Sequence, residues 1–270
     1  MPNFSILLPP SEEKQPGGNP FAPDMFDYRT SNTFNYFNEL NSERRKLIAI
    51  LDDVISDGKG LDQIFGVTTD GVDEATTVNS EIYNAPLMSA LDRYSPGVMY
   101  KAMDFSGLPT GAQRRLLENG IIFSGLFGLL RPDDLIPNYR LPMNSKLPSV
   151  GMLTDFWQPI ISPVLNRTLE GAFVWNFLSE VHEGAWNDEH AYDTTIRVEF
   201  FTEDGGERKG VTEDVQPLRG KLVNFIVRES LEELDPLLEW THPDGFTYDP
   251  DTTRRDESTN TVTIAMVKRL

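Results

Sequence analysis

The sequence predicts an α/β fold of the mixed α+β kind: a mixed β-sheet core wrapped by helices, carried by a single domain over residues 1–270. Three observations lead there. The runs Phe4 to Leu8, Ile121 to Phe123 and Phe173 to Leu178 are short and continuously apolar, as in strands buried on both faces. Ile196, Val198 and Phe200 alternate with Arg197 and Glu199, as in a half-exposed strand. Between these runs lie segments whose apolar residues recur at helical spacing. A chain of 270 residues with 39% hydrophobic content can bury a sizeable core and sits near the size at which one core stops growing.

Taken in order, the first strand runs into Pro9-Pro10-Ser11-Glu12-Glu13-Lys14 and then a stretch rich in Pro, Gly and Asn to about Asp24, which reads as an extended, polar, mobile loop. Asn41 or Ser42 is placed to cap a helix carrying Leu47, Ile48, Ile50, Leu51, Val54 and Ile55, with Gly58 ending it. A short helix from Pro109 or Thr110 closes at Asn119-Gly120 and gives way to the Ile121 strand, which puts Ser124 at that strand's end. Phe156 to Leu169 has helical spacing, but Pro159 and Pro163 each remove a donor, so the helix is expected to begin near Pro159 and bend near Pro163. Asp204-Gly205-Gly206 is a hairpin turn after the alternating strand. Leu218, Leu222, Phe225 and Ile226 mark another core-facing helix. Ser230-x-x-Glu233 has the pattern that opens a short helix ending by Pro236. Asp249 to Asn260 reads as a long flexible loop, and Thr261 to Val267 as a last strand.

Composition narrows the function. No stretch approaches the roughly 20 apolar residues of a membrane span. The first residues read as a strand rather than a signal peptide, so a cytoplasmic location is expected. With no cysteine, neither a disulfide nor a thiolate metal site nor a cysteine nucleophile is available on this chain. A formal charge of −18 repels phosphate backbones on average, which disfavours DNA as a partner while leaving room for a local basic cleft.

The richest segment is Ser124-Gly125-Leu126-Phe127-Gly128-Leu129-Leu130-Arg131-Pro132-Asp133-Asp134, continuing through Pro137-Asn138-Tyr139-Arg140-Leu141-Pro142-Met143. Glycines at a strand end admit close approach of backbone N–H groups to a ligand, and arginine offers a planar, always-charged fork for phosphate or carboxylate. The alternative is that Arg131 pairs with Asp133 or Asp134 while the glycines permit tight packing. The segment is neither a Walker loop nor a three-glycine dinucleotide fingerprint.

These motifs resemble those of the YaaA family of peroxide-stress-response proteins, in which a Ser-Gly-Leu-(Tyr/Phe)-Gly-x-Leu-Arg-Pro-x-Asp run leads into Pro-x-Tyr-Arg-Leu-x-Met. Leu7 to Lys14 is similar to the family's Pro-Pro-Ser-Glu-x-Lys opening, Phe156-Trp157 to its Phe-Trp pair, Arg219-Gly220 to its Ala-Arg-Gly element and Gly245 to Tyr248 to its C-terminal strand. The resemblance covers nearly the whole chain. It implies a single mixed domain in the cytosol, a role in peroxide stress through limiting free iron, and DNA binding reported for a member. Where that member has a helix-hairpin-helix-like segment, this chain has Asp70, Asp73 and Glu74, so DNA binding is not carried over.

The candidate site is a cleft for a small anionic or phosphate-bearing ligand, built from Ser11, Lys14, Ser124, Arg131, Tyr139, Arg140 and Arg219. Lys14 lies just past a strand end, where open α/β sheets place their sites, and the family motif includes it. It is also the candidate catalytic residue of an alternative reading, an enzyme using a lysine amine on a nucleotide or amino-acid-like substrate. A nucleic-acid-binding protein is the other alternative. The identity of any cofactor is left unknown by the sequence. His182, Glu183, Asp188, Glu189 and His190 together lack the helical zinc spacing, and iron handling through His182 is the remaining reading of that segment.

Overall fold

The apolar runs form strands of one sheet in the computed structural model, which describes residues 4–20 and 36–270. Its strands are β1 (Phe4–Leu8), β2 (Gly120–Ser124), β3 (Gly128–Leu130), β4 (Phe173–Asn176), β5 (Thr194–Asp204), β6 (Glu207–Gly210), β7 (Thr247–Asp256) and β8 (Thr261–Arg269). Their order is β7-β8-β5-β4-β1-β2-β3, with β6 paired to β5. The inner strands β8, β5, β4, β1 and β2 are parallel, and β7, β6 and β3 pair antiparallel at the margins. Every residue of β1 and β2 is buried, as their unbroken apolar runs require.

Ten α-helices surround the sheet among the described residues: α1 (Asn41–Asp57), α2 (Leu61–Phe65), α3 (Val72–Ser80), α4 (Ala90–Arg93), α5 (Val98–Met103), α6 (Thr110–Asn119), α7 (Leu153–Leu169), α8 (Glu180–Glu183), α9 (Val215–Glu229) and α10 (Pro236–Glu239). None is long and apolar enough to cross a membrane. Helix α9 packs on α5, and a Cβ at Gly220 would fall 2.1 Å from the Met99 carbonyl, so the two backbones meet there.

From β1 the chain first builds outward to β2 and β3 on one side. Later it returns to build β4, β5 and β8 on the other. Strand order therefore reverses at β1. The carboxyl ends of β1, β2 and β4 share one edge of the sheet, the position at which open α/β sheets hold ligands.

Several local expectations give way to packing. Helix α1 ends at Gly58 (φ 69°), but neither Asn41 nor Ser42 caps it: a 3-10 turn over Asn38–Leu40 leads straight in, and the Asn41 side chain accepts from Arg44 instead. Helix α7 starts at Leu153, before both prolines, and runs through them. An interior proline costs about 3 kcal/mol. That cost is offset by the burial of Leu153, Trp157, Ile161, Val164, Leu165 and Leu169, at roughly 1.5–3 kcal/mol for each large apolar side chain. Pro159 and Pro163 themselves lie on the exposed face.

Ser230 opens no helix; it ends α9 in the left-handed conformation (φ 60°), and the next helix begins at Pro236, whose fixed φ suits a first helical position. Asp249 to Asn260 is not a loop: most of it is the edge strand β7, paired to β8 with an irregularity between Asp249 and Arg254. Apart from Asp249, which is buried against Arg208, its charged residues face solvent, and Arg254 bonds Glu199 on β5 at 2.8 Å. The loop expected after β1 is described only to Pro20; residues 21–24 of that expectation, like Met1 to Asn3, lie outside the described residues.

Candidate functional site

The β1 strand delivers the Pro9 to Gly17 segment to the sheet edge, and the fold holds it there at several points. The Tyr100 hydroxyl donates to the Pro9 carbonyl at 2.7 Å. Arg93, fully buried, donates to the carbonyls of Gln15, Gly17 (3.0 Å), Pro86 (2.9 Å) and Ile136 (3.2 Å), and its own carbonyl accepts from the Gln15 N–H at 2.7 Å. Arg140 donates to the Glu12 carbonyl, while its backbone is clamped by Asn79 through two bonds of 2.8 and 2.9 Å. The segment is thus pinned rather than mobile.

Lys14 is held inside this frame. Its Nζ donates to the Ser11 carbonyl at 3.1 Å and lies 4.6 Å from the centroid of the Tyr139 ring and 5.6 Å from that of Tyr94. Burial pushes its pKa down to about 7; Glu12 opposes that shift, and Arg140 and Arg93 add to it. Among the described residues no carboxylate lies within ion-pair distance of Lys14, Arg140 or Arg219.

Beside the amine runs a buried chain of hydroxyls. Tyr94 and Tyr139 meet oxygen to oxygen at 2.6 Å, Tyr139 meets Ser124 Oγ at 2.7 Å, and Ser124 Oγ accepts from the Phe127 N–H at 3.0 Å. Burial raises the pKa values of Tyr94 and Tyr100, and lifts Tyr139 to about 12, so all three stay protonated at neutral pH. Three hydroxyl protons share two links, so one O–H must point out of the chain.

The glycines of the Ser124 to Gly128 turn serve packing. A Cβ at Gly125 would fall 2.2 Å from the Leu141 carbonyl, and one at Gly128 (φ +72°) would fall 2.9 Å from the Trp157 ring. The turn also sends β3 back antiparallel to β2, and with it Arg131. Ser124 ends β2, whereas the Arg131 guanidinium bonds the carbonyls of Glu118 (3.0 Å) and Gly120 (3.1 Å) at that strand's start. Four residues at about 3.3 Å each separate those positions. Arg131 is not paired through its guanidinium to Asp134; that buried carboxylate accepts backbone N–H groups from Arg131 (2.7 Å) and Tyr36 (2.8 Å), and burial lifts its pKa to about 7.

The fold therefore gathers Ser11, Lys14, Ser124, Tyr139 and Arg140 at one edge and places Arg131 at the opposite one. Arg219 lies on α9 within 3.4 Å of the Phe177 carbonyl, just past the end of β4, and its Nε is buried without a partner among the described residues. Between the β1 and β4 ends opens a recess of about 350 Å3. Ser11, Tyr100, Ser179, His182 and Gln216 line it. His182 Nδ1 lies 2.8 Å from Ser179 Oγ, and burial pushes the ring down to about 4, so it is neutral near pH 7. His190 is tied instead to Tyr192 (2.9 Å) and Asp188, and among the described residues no three His, Asp or Glu converge as a metal site. Tyr94, Tyr100 and Arg93 were not legible as site residues; the Arg93-Tyr94 pair before Ser95-Pro96-Gly97 is the one local signal they left.

Comparison with known proteins agrees in scope with the motifs. A family model described as peroxide stress protein YaaA matches residues 4–252. A UPF0246 protein of Streptomyces coelicolor is 30% identical over 197 residues, 72% of each chain. One of Corynebacterium efficiens is 31% identical over 229 residues, covering 84% of this chain and 86% of its own. One of Rickettsia bellii is 29% identical over 155 residues, 56% of this chain and 62% of its own.

Proposed function

From the premise that this chain belongs to the peroxide stress protein YaaA family, we propose that it acts in the cytoplasmic response to hydrogen peroxide by binding a small anionic or phosphate-bearing ligand at the sheet edge where β1, β2 and β4 end. The observation that carries this reading is the surplus of donors there. The Lys14 ammonium finds one acceptor among the described residues, so two of its three N–H groups are left for a ligand. An oxyanion supplies the missing acceptors, and an uncompensated cation in a partly dry site favours it. Ser11, Lys14, Ser124, Tyr139 and Arg140 form this side of the site, with Arg219 across the recess. Arg131 supports the far edge by tying the end of α6 to the start of β2. Any effect on free iron follows from the bound ligand.

A second reading is favoured by one observation, the lowered pKa of Lys14. An amine poised near neutrality is a usable base or nucleophile, which makes Lys14 the catalytic residue of a lysine-dependent enzyme on the same ligand.

Thermal unfolding with inorganic phosphate and phenyl phosphate tests the binding. The wild type is expected to gain stability with ligand concentration, and Lys14→Ala and Arg140→Ala to lose that gain. No shift in the wild type with either compound would sink the anion reading.

A further inference from the structure

The recess between the β1 and β4 ends has a composition that a simple anion does not explain. Its charged lining residues are acids, Glu12 and Glu13, both exposed at the rim. Its walls are largely apolar: Met99 and Tyr100 are buried in its side, and Val98, 54% exposed, sits at its mouth. The cations stand around it. Lys14 reaches the carbonyl of the lining residue Ser11, and Arg219 lies one helical turn beyond the lining residue Gln216. Ser179, His182 and Gln216 add polar groups without charge, and the Gln216 Oε1 has no partner among the described residues.

A plain anion entering here passes two carboxylates, and a plain cation comes up against walls backed by Lys14, Arg140 and Arg219, each bonded to a lining residue or one turn from one. A guest carrying both charges on one carbon, with an apolar body, satisfies every part. Resting on the anion reading above, we propose that the recess binds an α-amino acid with a large apolar or aromatic side chain. Its carboxylate faces Lys14. Its ammonium faces Glu12 and Glu13, two residues along the same segment. Its side chain enters between Val98 and Tyr100 toward His182. A recess of about 350 Å3 falls within the size range of small-molecule sites, which are mostly apolar with a few placed polar groups.

Calorimetric titration with phenylalanine, 3-phenylpropionate and 2-phenylethylamine tests the proposal on the full chain. Phenylalanine is expected to bind at least about tenfold more tightly than either analogue, each of which lacks one charged contact. Glu12→Gln combined with Glu13→Gln, both exposed changes, is expected to bring phenylalanine down to the affinity of 3-phenylpropionate. Val98→Ser is expected to weaken phenylalanine and leave inorganic phosphate unchanged. If 3-phenylpropionate binds as tightly as phenylalanine, the amino-acid proposal is overturned while the anion reading stands. If only the amine binds, both fall. If none of the three binds, this proposal is overturned, and the phosphate titration alone judges the anion reading.

Discussion

Lys14 and Tyr139 form the hinge of the site: the Lys14 Nζ lies 4.6 Å from the Tyr139 ring centroid, while the same residue's hydroxyl joins Tyr94 at 2.6 Å and Ser124 at 2.7 Å. One side chain therefore gives the amine an aromatic face and closes the buried hydroxyl chain. Removing only its oxygen separates those duties.

In Tyr139→Phe the ring stays beneath Lys14, but Tyr94 and Ser124 lose their shared partner in a site without solvent contact. Unfolding in urea is expected to show a loss of about 1–3 kcal/mol, the cost of stranding buried hydroxyls. A variant as stable as the wild type would mean that the two hydroxyls find other partners.

Lys14 also sets a pH dependence. Its pKa is about 7 in the folded chain against an ordinary 10.5. Below pH 7 both states hold the proton, and the buried ammonium costs the native state in full. Between pH 7 and 10.5 the unfolded chain holds more protons, so stability rises with pH across that window. Denaturation midpoints from pH 6.5 to 10 are expected to climb in the wild type and to climb less in Lys14→Met. Parallel profiles would place the amine in water instead.

Asp134 gives a slope of opposite sign. Its carboxyl, lifted to about 7 by burial from an ordinary 3.8, binds more protons folded than unfolded between those values, so its contribution to stability falls as pH rises from 4 to 7. Asp134→Asn keeps one oxygen for the backbone N–H groups and carries no charge. The difference in stability between this variant and the wild type is expected to widen in the variant's favour over that interval. A constant difference would show that Asp134 titrates normally.

How much of this was legible in sequence depends on whether the cause is local. The β1 and β2 strands were readable because burial on both faces leaves a continuous apolar run. The β7 strand was not: at a sheet edge, outward positions are acids, Thr and Pro250, which is also what a loop contains. Ser11, Lys14, Ser124, Tyr139 and Arg140 could be grouped because strand ends bring them together. Arg131 is only seven positions from Ser124, yet the turn at Leu126-Phe127 reverses the chain and carries it to the other edge. Tyr94 and Arg93 were missed because their roles come from packing segment 90–100 against the β1 exit, a contact with no periodic trace.

Arg93 shows what that packing is worth. Its guanidinium serves carbonyls from the β1 exit segment, Pro86 and Ile136, from a position with no exposure. Lysine retains the charge but not the planar fork, so several of those carbonyls lose their donor. Arg93→Lys is expected to cost about 3 kcal/mol or more in urea unfolding and to abolish the phosphate-induced stabilisation. Retained phosphate binding in this variant would show that the Lys14 segment holds its shape without the strap.

Gly97 tests the closest approach in the site. Its φ of −64° is open to any residue, so conformational freedom is not why glycine stands there. The reason is Ser11: a Cβ on residue 97 would fall 2.2 Å from Ser11 Oγ and 2.7 Å from Ser11 Cβ, while its next neighbour, the Tyr94 carbonyl, is 3.2 Å away. Gly97→Ala must displace the Ser11 to Lys14 segment and is expected to cost about 1–3 kcal/mol. Ser11→Gly alone removes little beyond chain stiffness, about 1 kcal/mol or less. In the double variant Ser11→Gly with Gly97→Ala the clashing atoms are gone, so its stability is expected to exceed the sum of the single effects by about 0.5–3 kcal/mol. Strict additivity would mean that the two backbones do not meet at Ser11, and the placement of Lys14 above Tyr139, which depends on that contact, would have to be redrawn.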